Sequence, residues 1–164
     1  MVNLTYDRTI IRVNRSARPL FPDQIIRIMH PELQTSGSRR YYLGDVQCLL
    51  DQGQIGGNVL PGWAIYRHLI KVEYLPMCLG LNDGVEIQRE GVPCFKRFFG
   101  VKALFLWKSV GVNCYDHLFV PCLDVKGDRL LIRWYFVEND FGVSYPAACI
   151  GAQATEDSGF LPCA

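Results

Sequence analysis

The pattern of apolar and polar positions divides the chain near residue 100. Beyond it, residues 103–137 read ALFLWKSVGVNCYDHLFVPCLDVKGDRLLIRWYFV, rich in β-branched and aromatic residues and broken by two turn signals. The stretch predicts an antiparallel meander with strands at about 103–112, 117–124 and 128–137. A short last strand over 143–150 (VSYPAACI) follows, restricted by Pro146 to a sheet edge. Before residue 100 the periodicity is helical and often interrupted. Pro22 opens a short helix over 23–30, DQIIRIMH, and Pro31 stops it. Further helices are expected over 43–52 (LGDVQCLLDQ), over 63–71 (WAIYRHLIK), and from Asn82-Asp83 to Gly91. A last turn, CFKRFF, lies between Pro93 and Gly100. Residues 3–13 (NLTYDRTIIRV) read as a strand that could join the sheet's edge.

Helices followed by strands, rather than strands alternating with helices, indicate the α+β class. We expect a single domain over 1–164. A cluster of short helices (22–100) packs on one face of a three- to four-stranded antiparallel meander (101–150).

The turn Asp124-Val125-Lys126-Gly127-Asp128 suits a type I turn with a glycine bulge. That register pairs Cys122 with Leu130, Val120 with Ile132 and Leu118 with Trp134. One hairpin face is then apolar and carries Trp134 into the core, where truncation to alanine costs about 3–5 kcal/mol. The other face carries His117, Phe119, Arg129, Arg133 and Tyr135. A two-residue turn on Lys126-Gly127 is the rival and shifts the pairing by one residue. Trp107 receives no side, because its strand is apolar on both faces.

Length and composition change this picture little. The chain has 164 residues, 49% hydrophobic and 20% charged, and a net charge of +1. Near-neutrality argues against a dedicated nucleic-acid binder. Seven cysteines form no C-x-x-C pair, so they read as mostly buried thiols of a reducing compartment, with Cys163 an exposed, oxidisable exception. No apolar leader and no run of membrane-spanning length is present, so a cytoplasmic location is expected.

Candidate chemistry is sparse. Cys114, Asp116 and His117 stand close together, but catalytic dyads are usually assembled from distant segments. A loop with a buried thiol and a surface histidine explains them as well. His30, His68 and His117 show no metal-ligand spacing, and Gly53, Gly56, Gly57 and Gly62 lack the lysine of a phosphate loop. No metal or cofactor is expected. Arg39 and Arg40, with Arg129, Arg133, Phe119 and Tyr135 on the open sheet face, could form a binding surface of cations and stacking rings.

Four short motifs stand out: Trp107-Lys108-Ser109-Val110, Val120-Pro121-Cys122-Leu123, Trp134 and Pro146-Ala147. Together with Met29-His30-Pro31-Glu32-Leu33, Cys78-Leu79-Gly80-Leu81 and Ile87-Gln88, they resemble a family of small uncharacterised bacterial proteins. The resemblance implies a small bacterial cytoplasmic protein and carries no activity or functional residue. We therefore expect a non-enzymatic binding or protein-interaction module. The alternatives are a single-stranded nucleic-acid-binding module and a small enzyme using Cys114 and His117. A protein ranks first as partner, nucleic acid behind it, and no membrane is expected.

Overall fold

The structure is a computed structural model and describes residues 7–163. Residues 3–6 of the expected first strand lie outside the described residues. The strand itself is β1 (Ile10–Arg12), which pairs with β3 (Arg40–Tyr42) in a separate two-stranded sheet rather than at the edge of the main one.

The main sheet has eight strands, not three or four. In chain order these are β2 (Arg27–Ile28), β4 (Gln47–Asp51), β6 (Leu104–Phe105), β7 (Gly111–Val112), β8 (Leu118–Lys126), β9 (Arg129–Phe136), β11 (Ala147–Cys149) and β12 (Phe160–Pro162). The short strands β5 (Leu60–Pro61) and β10 (Asp140–Phe141) pair with each other elsewhere. The spatial order is β12-β4-β11-β6-β8-β7-β2, with β9 on the free side of β8.

Two of the expected helices are strands in the structure. Residues 23–30 hold β2, whose flanking Ile26 and Met29 N–H groups donate to the Val112 and Val110 carbonyls. Residues 43–52 hold a single 3₁₀ turn and then β4, which is hydrogen-bonded on both sides, to β11 and β12. Leu49, Leu50 and Asp51 are all buried. A strand buried on both faces shows a continuous apolar run, which periodicity alone does not separate from a helix. β11 is likewise internal, so the expected edge position after Pro146 is not observed.

The two helices expected after residue 62 form, as α1 (Gly62–Lys71) and α2 (Leu81–Arg89), and the expected last turn, CFKRFF, is part of a full helix, α3 (Gly91–Phe99). They do not share one face of the sheet. Ile65, Tyr66 and Leu69 of α1 pack with Phe105, Trp107, Val120 and Cys122. Ile87 of α2 and Phe95 and Phe99 of α3 pack with Leu104, Leu106, Leu123 and Leu130 on the opposite face. Adjacent residues of one strand fall in opposite cores, as the two-residue period of a strand requires. Burying both faces is what draws so many apolar residues into this sheet.

The β8–β9 hairpin pairs Lys126 with Arg129, Cys122 with Arg133 and Val120 with Tyr135. Its two-residue turn is Gly127-Asp128, so neither expected register holds. Gly127 has φ 62°, the positive value that the favoured two-residue hairpin turns need at their first central position. One face of the hairpin, with Phe119, Leu123, Leu130, Ile132 and Trp134, is apolar throughout, whereas the other mixes Val120, Cys122 and Tyr135 with Asp124, Arg129 and Arg133. The correction moves Trp134 too. It is only partly buried and meets Phe21 at a ring distance of 5.8 Å, whereas Trp107 is fully buried.

Candidate functional site

The strand expected over 103–112 is broken. β6 and β7 both lie along one edge of β8, but Trp107–Ser109 between them form a 3₁₀ turn. On its outer side β6 meets β11, and β7 meets β2. The break therefore leaves a gap in the sheet, and buried polar side chains fill it.

Ser109 lies at the centre. Its hydroxyl donates to Gln34 Oε1 (2.7 Å) and accepts from the Leu81 N–H at the start of α2 (2.8 Å). Gln34 Nε2 donates to the His30 and Lys108 carbonyls, both at 2.8 Å. Beside them Arg15, Tyr41 and Asp83 form a buried network. Arg15 holds Asp83 with two hydrogen bonds, of 2.8 and 3.1 Å, and also donates to the Ser38 carbonyl. The Tyr41 hydroxyl donates to Asp83 at 2.9 Å, and the Gly80 N–H does the same at 2.9 Å. Asp83 thus caps α2 and accepts four hydrogen bonds, about the full capacity of a carboxylate. Burial and the Asp83 charge push the Tyr41 phenol well above its usual range.

Lys108 is the unsatisfied member of this cluster. It is 3% exposed, yet its ammonium makes one long hydrogen bond, to the Ser36 carbonyl at 3.4 Å. Two of its three N–H donors have no partner among the described residues, and Asp83 has no acceptor position left for them. Desolvation by burial, joined by the Arg15 charge, holds the Lys108 pKa below its ordinary value.

The ammonium borders a cleft of about 120 Å3 lined by Arg15, Gly37, Ser38, Met77, Cys78 and Lys108, among others. Gly37 has φ 106°, and a Cβ placed there would stand 3.1 Å from an Arg15 nitrogen and 3.2 Å from the Lys108 nitrogen. Glycine therefore leaves both cationic heads uncovered. Arg15 and Lys108 bring two positive charges to the cleft and Asp83 one negative. An uncompensated buried charge costs several kcal/mol unless a counterion reaches it.

The residues singled out in the sequence are placed differently. Cys114, Asp116 and His117 are all exposed on the loop before β8, so the Cys114 thiol, expected to be buried, is not. Asn113 ties that loop through its side-chain oxygen to the Tyr115 and His117 N–H groups, and no described hydrogen bond joins Cys114 to His117. Arg133 is paired with Asp124 at 2.9 Å, and the Tyr135 hydroxyl bonds to that of Tyr145. Tyr135 also packs edge-on against Phe105 and Phe141. Phe119 lies on the opposite face, against Phe136. Arg129 is exposed beside the turn, and Arg39 and Arg40 belong to the β1–β3 sheet region. The expected open face of Arg129, Arg133, Tyr135 and Phe119 is thus divided by the observed register.

A second polar pair lies elsewhere. His68 Nδ1 meets Asp51 at 2.5 Å and Nε2 meets the Ser158 carbonyl at 2.7 Å, with the ring stacked on Phe160. Protein oxygens thus engage both ring nitrogens. Among the described residues no three His, Cys, Asp or Glu side chains gather as metal ligands.

Lys108, Arg15 and Asp83 were not candidates in the sequence. The available signal was one lysine inside the apolar run ALFLWKSVGV. No helix among the described residues is long and apolar enough to cross a membrane. No protein-family model matches the chain, and neither the curated proteins nor the solved structures contain a match to it.

Proposed function

We propose that the protein is a non-enzymatic binding module and that the Lys108 cleft is its recognition site, taking a small inorganic or carboxylate anion. The observation that carries this reading is the ammonium of Lys108, almost wholly buried, under-bonded and facing a cleft. At about 120 Å3 the cleft exceeds one water but is well under the roughly 300–1,000 Å3 of sites for larger ligands. An anion there would complete the lysine's hydrogen bonds and offset the excess positive charge. It would also find Arg15 already fixed by Asp83 and Ser38, so little side-chain ordering remains to oppose binding.

The test is thermal denaturation of wild type and Lys108→Met in phosphate, sulfate, acetate and nitrate at constant ionic strength. The reading expects at least one anion to raise the wild-type Tm in a saturable way and to leave the variant unmoved. Equal shifts in both proteins, or none with any anion, would reject it.

A protein partner is the second reading. Leu20 is 94% exposed and Ile26 65% exposed beside β2, the outermost strand at one end of the sheet. A neighbouring cleft of about 450 Å3 is lined by Pro19, Phe21, Ile28 and Pro31, with Arg18 and Glu32 also lining it. An extended apolar peptide could lengthen the sheet there. Selection from a displayed peptide library would return such peptides, and Leu20→Asp would abolish their binding; a library that yields none rejects this reading.

A further inference from the structure

A thiol pair on the opposite side of the sheet from β2 is independent of the cleft. In β12, Phe160 pairs with Asp51, Leu161 with Leu50 and Pro162 with Leu49. The next step of this register sets Cys163 opposite Cys48, and the Cys163 N–H donates to the Cys48 carbonyl at 2.8 Å. Residues directly opposite in a hydrogen-bonded antiparallel pair have Cα atoms about 5.5 Å apart, inside the range that a disulfide spans. Their side chains leave the sheet on the same face. Both residues are partly exposed.

We propose that Cys48 and Cys163 form a dithiol that closes to a disulfide by exchange with a small oxidised thiol such as glutathione disulfide. The Cys163 thiolate attacks one sulfur of that disulfide and releases the first glutathione as thiolate. The Cys48 thiolate then attacks the Cys163 sulfur and releases the second. The protein loses two protons and two electrons, and the glutathione disulfide takes them up to become two thiols.

The two cysteines have different roles for a physical reason. Hydrogen bonding from Cys48, with help from the Lys102 charge, lowers the Cys163 pKa, whereas that of Cys48 is raised. A low-pKa, accessible thiol beside a second cysteine is the usual arrangement of attacking and resolving residues. Once Cys163 is in a mixed disulfide, its charge no longer opposes ionisation of Cys48.

The same sheet supplies a comparison. Cys78 and Cys149 have sulfurs 3.4 Å apart, closer than van der Waals spacing would suggest for unrelated thiols, but both are buried. Contact with Cys78, together with burial, pushes the Cys149 pKa well up. Proximity alone would favour this pair; thiolate character and access favour Cys48–Cys163.

The experiment uses the full chain carrying Cys114→Ser, which removes the exposed lone thiol. It is incubated with excess glutathione disulfide under native conditions, then analysed by intact mass and disulfide mapping. The expected product has lost two hydrogens, carries no glutathione and contains the Cys48–Cys163 linkage. Adding Cys48→Ser should leave a stable glutathione adduct on Cys163. A stable adduct on Cys163 with Cys48 intact, a Cys78–Cys149 linkage instead, or no reaction would each overturn the proposal.

Discussion

At the residue scale, the account rests on what burial does to one cation. The folded-state pKa of Lys108 lies below its ordinary value of 10.5. Between that lowered value and 10.5 the unfolded chain binds more protons than the folded one, so this lysine makes stability rise with pH there. Below the window the full penalty of a buried charge is present. Lys108→Met is therefore expected to be at least as stable as wild type at neutral pH. Its advantage should shrink as pH rises through the window, in paired urea titrations without added anion. An advantage that grows with pH would contradict this assignment. Asp83→Asn should act in the opposite sense. It leaves the Arg15 guanidinium buried without its counter-charge, at a cost of about 3–5 kcal/mol in the same assay. The two tryptophans separate as well. Trp107→Ala should cost about 3–5 kcal/mol, and Trp134→Ala clearly less, since Trp134 is only partly buried.

At the element scale, the break at Trp107–Ser109 is what makes a site. An uninterrupted strand would have paired Lys108 backbone groups with β8 and left no gap for Gln34, Ser109 and the start of α2. The sequence shows why this was hard to read. Helices α1 and α2 were legible from apolar periodicity and from Asp83 as a cap, whereas α3 read only as a turn between Pro93 and Gly100. β8 and β9 were legible from their β-branched and aromatic runs. Residues 43–52 were not, because β4, hydrogen-bonded on both sides and largely buried, lacks the alternation that marks a strand, and residues 23–30 were not, because the two residues of β2 are too few to show any period. The hairpin register failed because Gly127 takes the first central position of a two-residue turn instead of closing a longer one. Nor could the cleft be read locally: Arg15, Gly37 and Lys108 meet only through contacts between distant segments. The packing of α1 on its face gives a separate test. A Cβ at Gly62 would stand 2.5 Å from the Val137 carbonyl oxygen and from the Phe141 ring. Gly62→Ala should destabilise by about 1–3 kcal/mol in chemical denaturation, because backbone must move to admit the methyl group.

At the scale of the whole molecule, two helical layers enclose a mixed sheet with a buried polar cluster at the gap between β6 and β7. The expected sheet face of cations and rings is divided by the observed register, and the proposed site is the small cleft that Arg15 and Lys108 border. The most direct measurement of this claim is an amide-resolved NMR titration of the wild-type protein with inorganic phosphate, repeated on Lys108→Met. The account predicts saturable shifts centred on Gly37, Ser38 and Leu79 in the wild type and their loss in the variant. Shifts scattered over the exposed arginines, or the same shifts in both proteins, would contradict it.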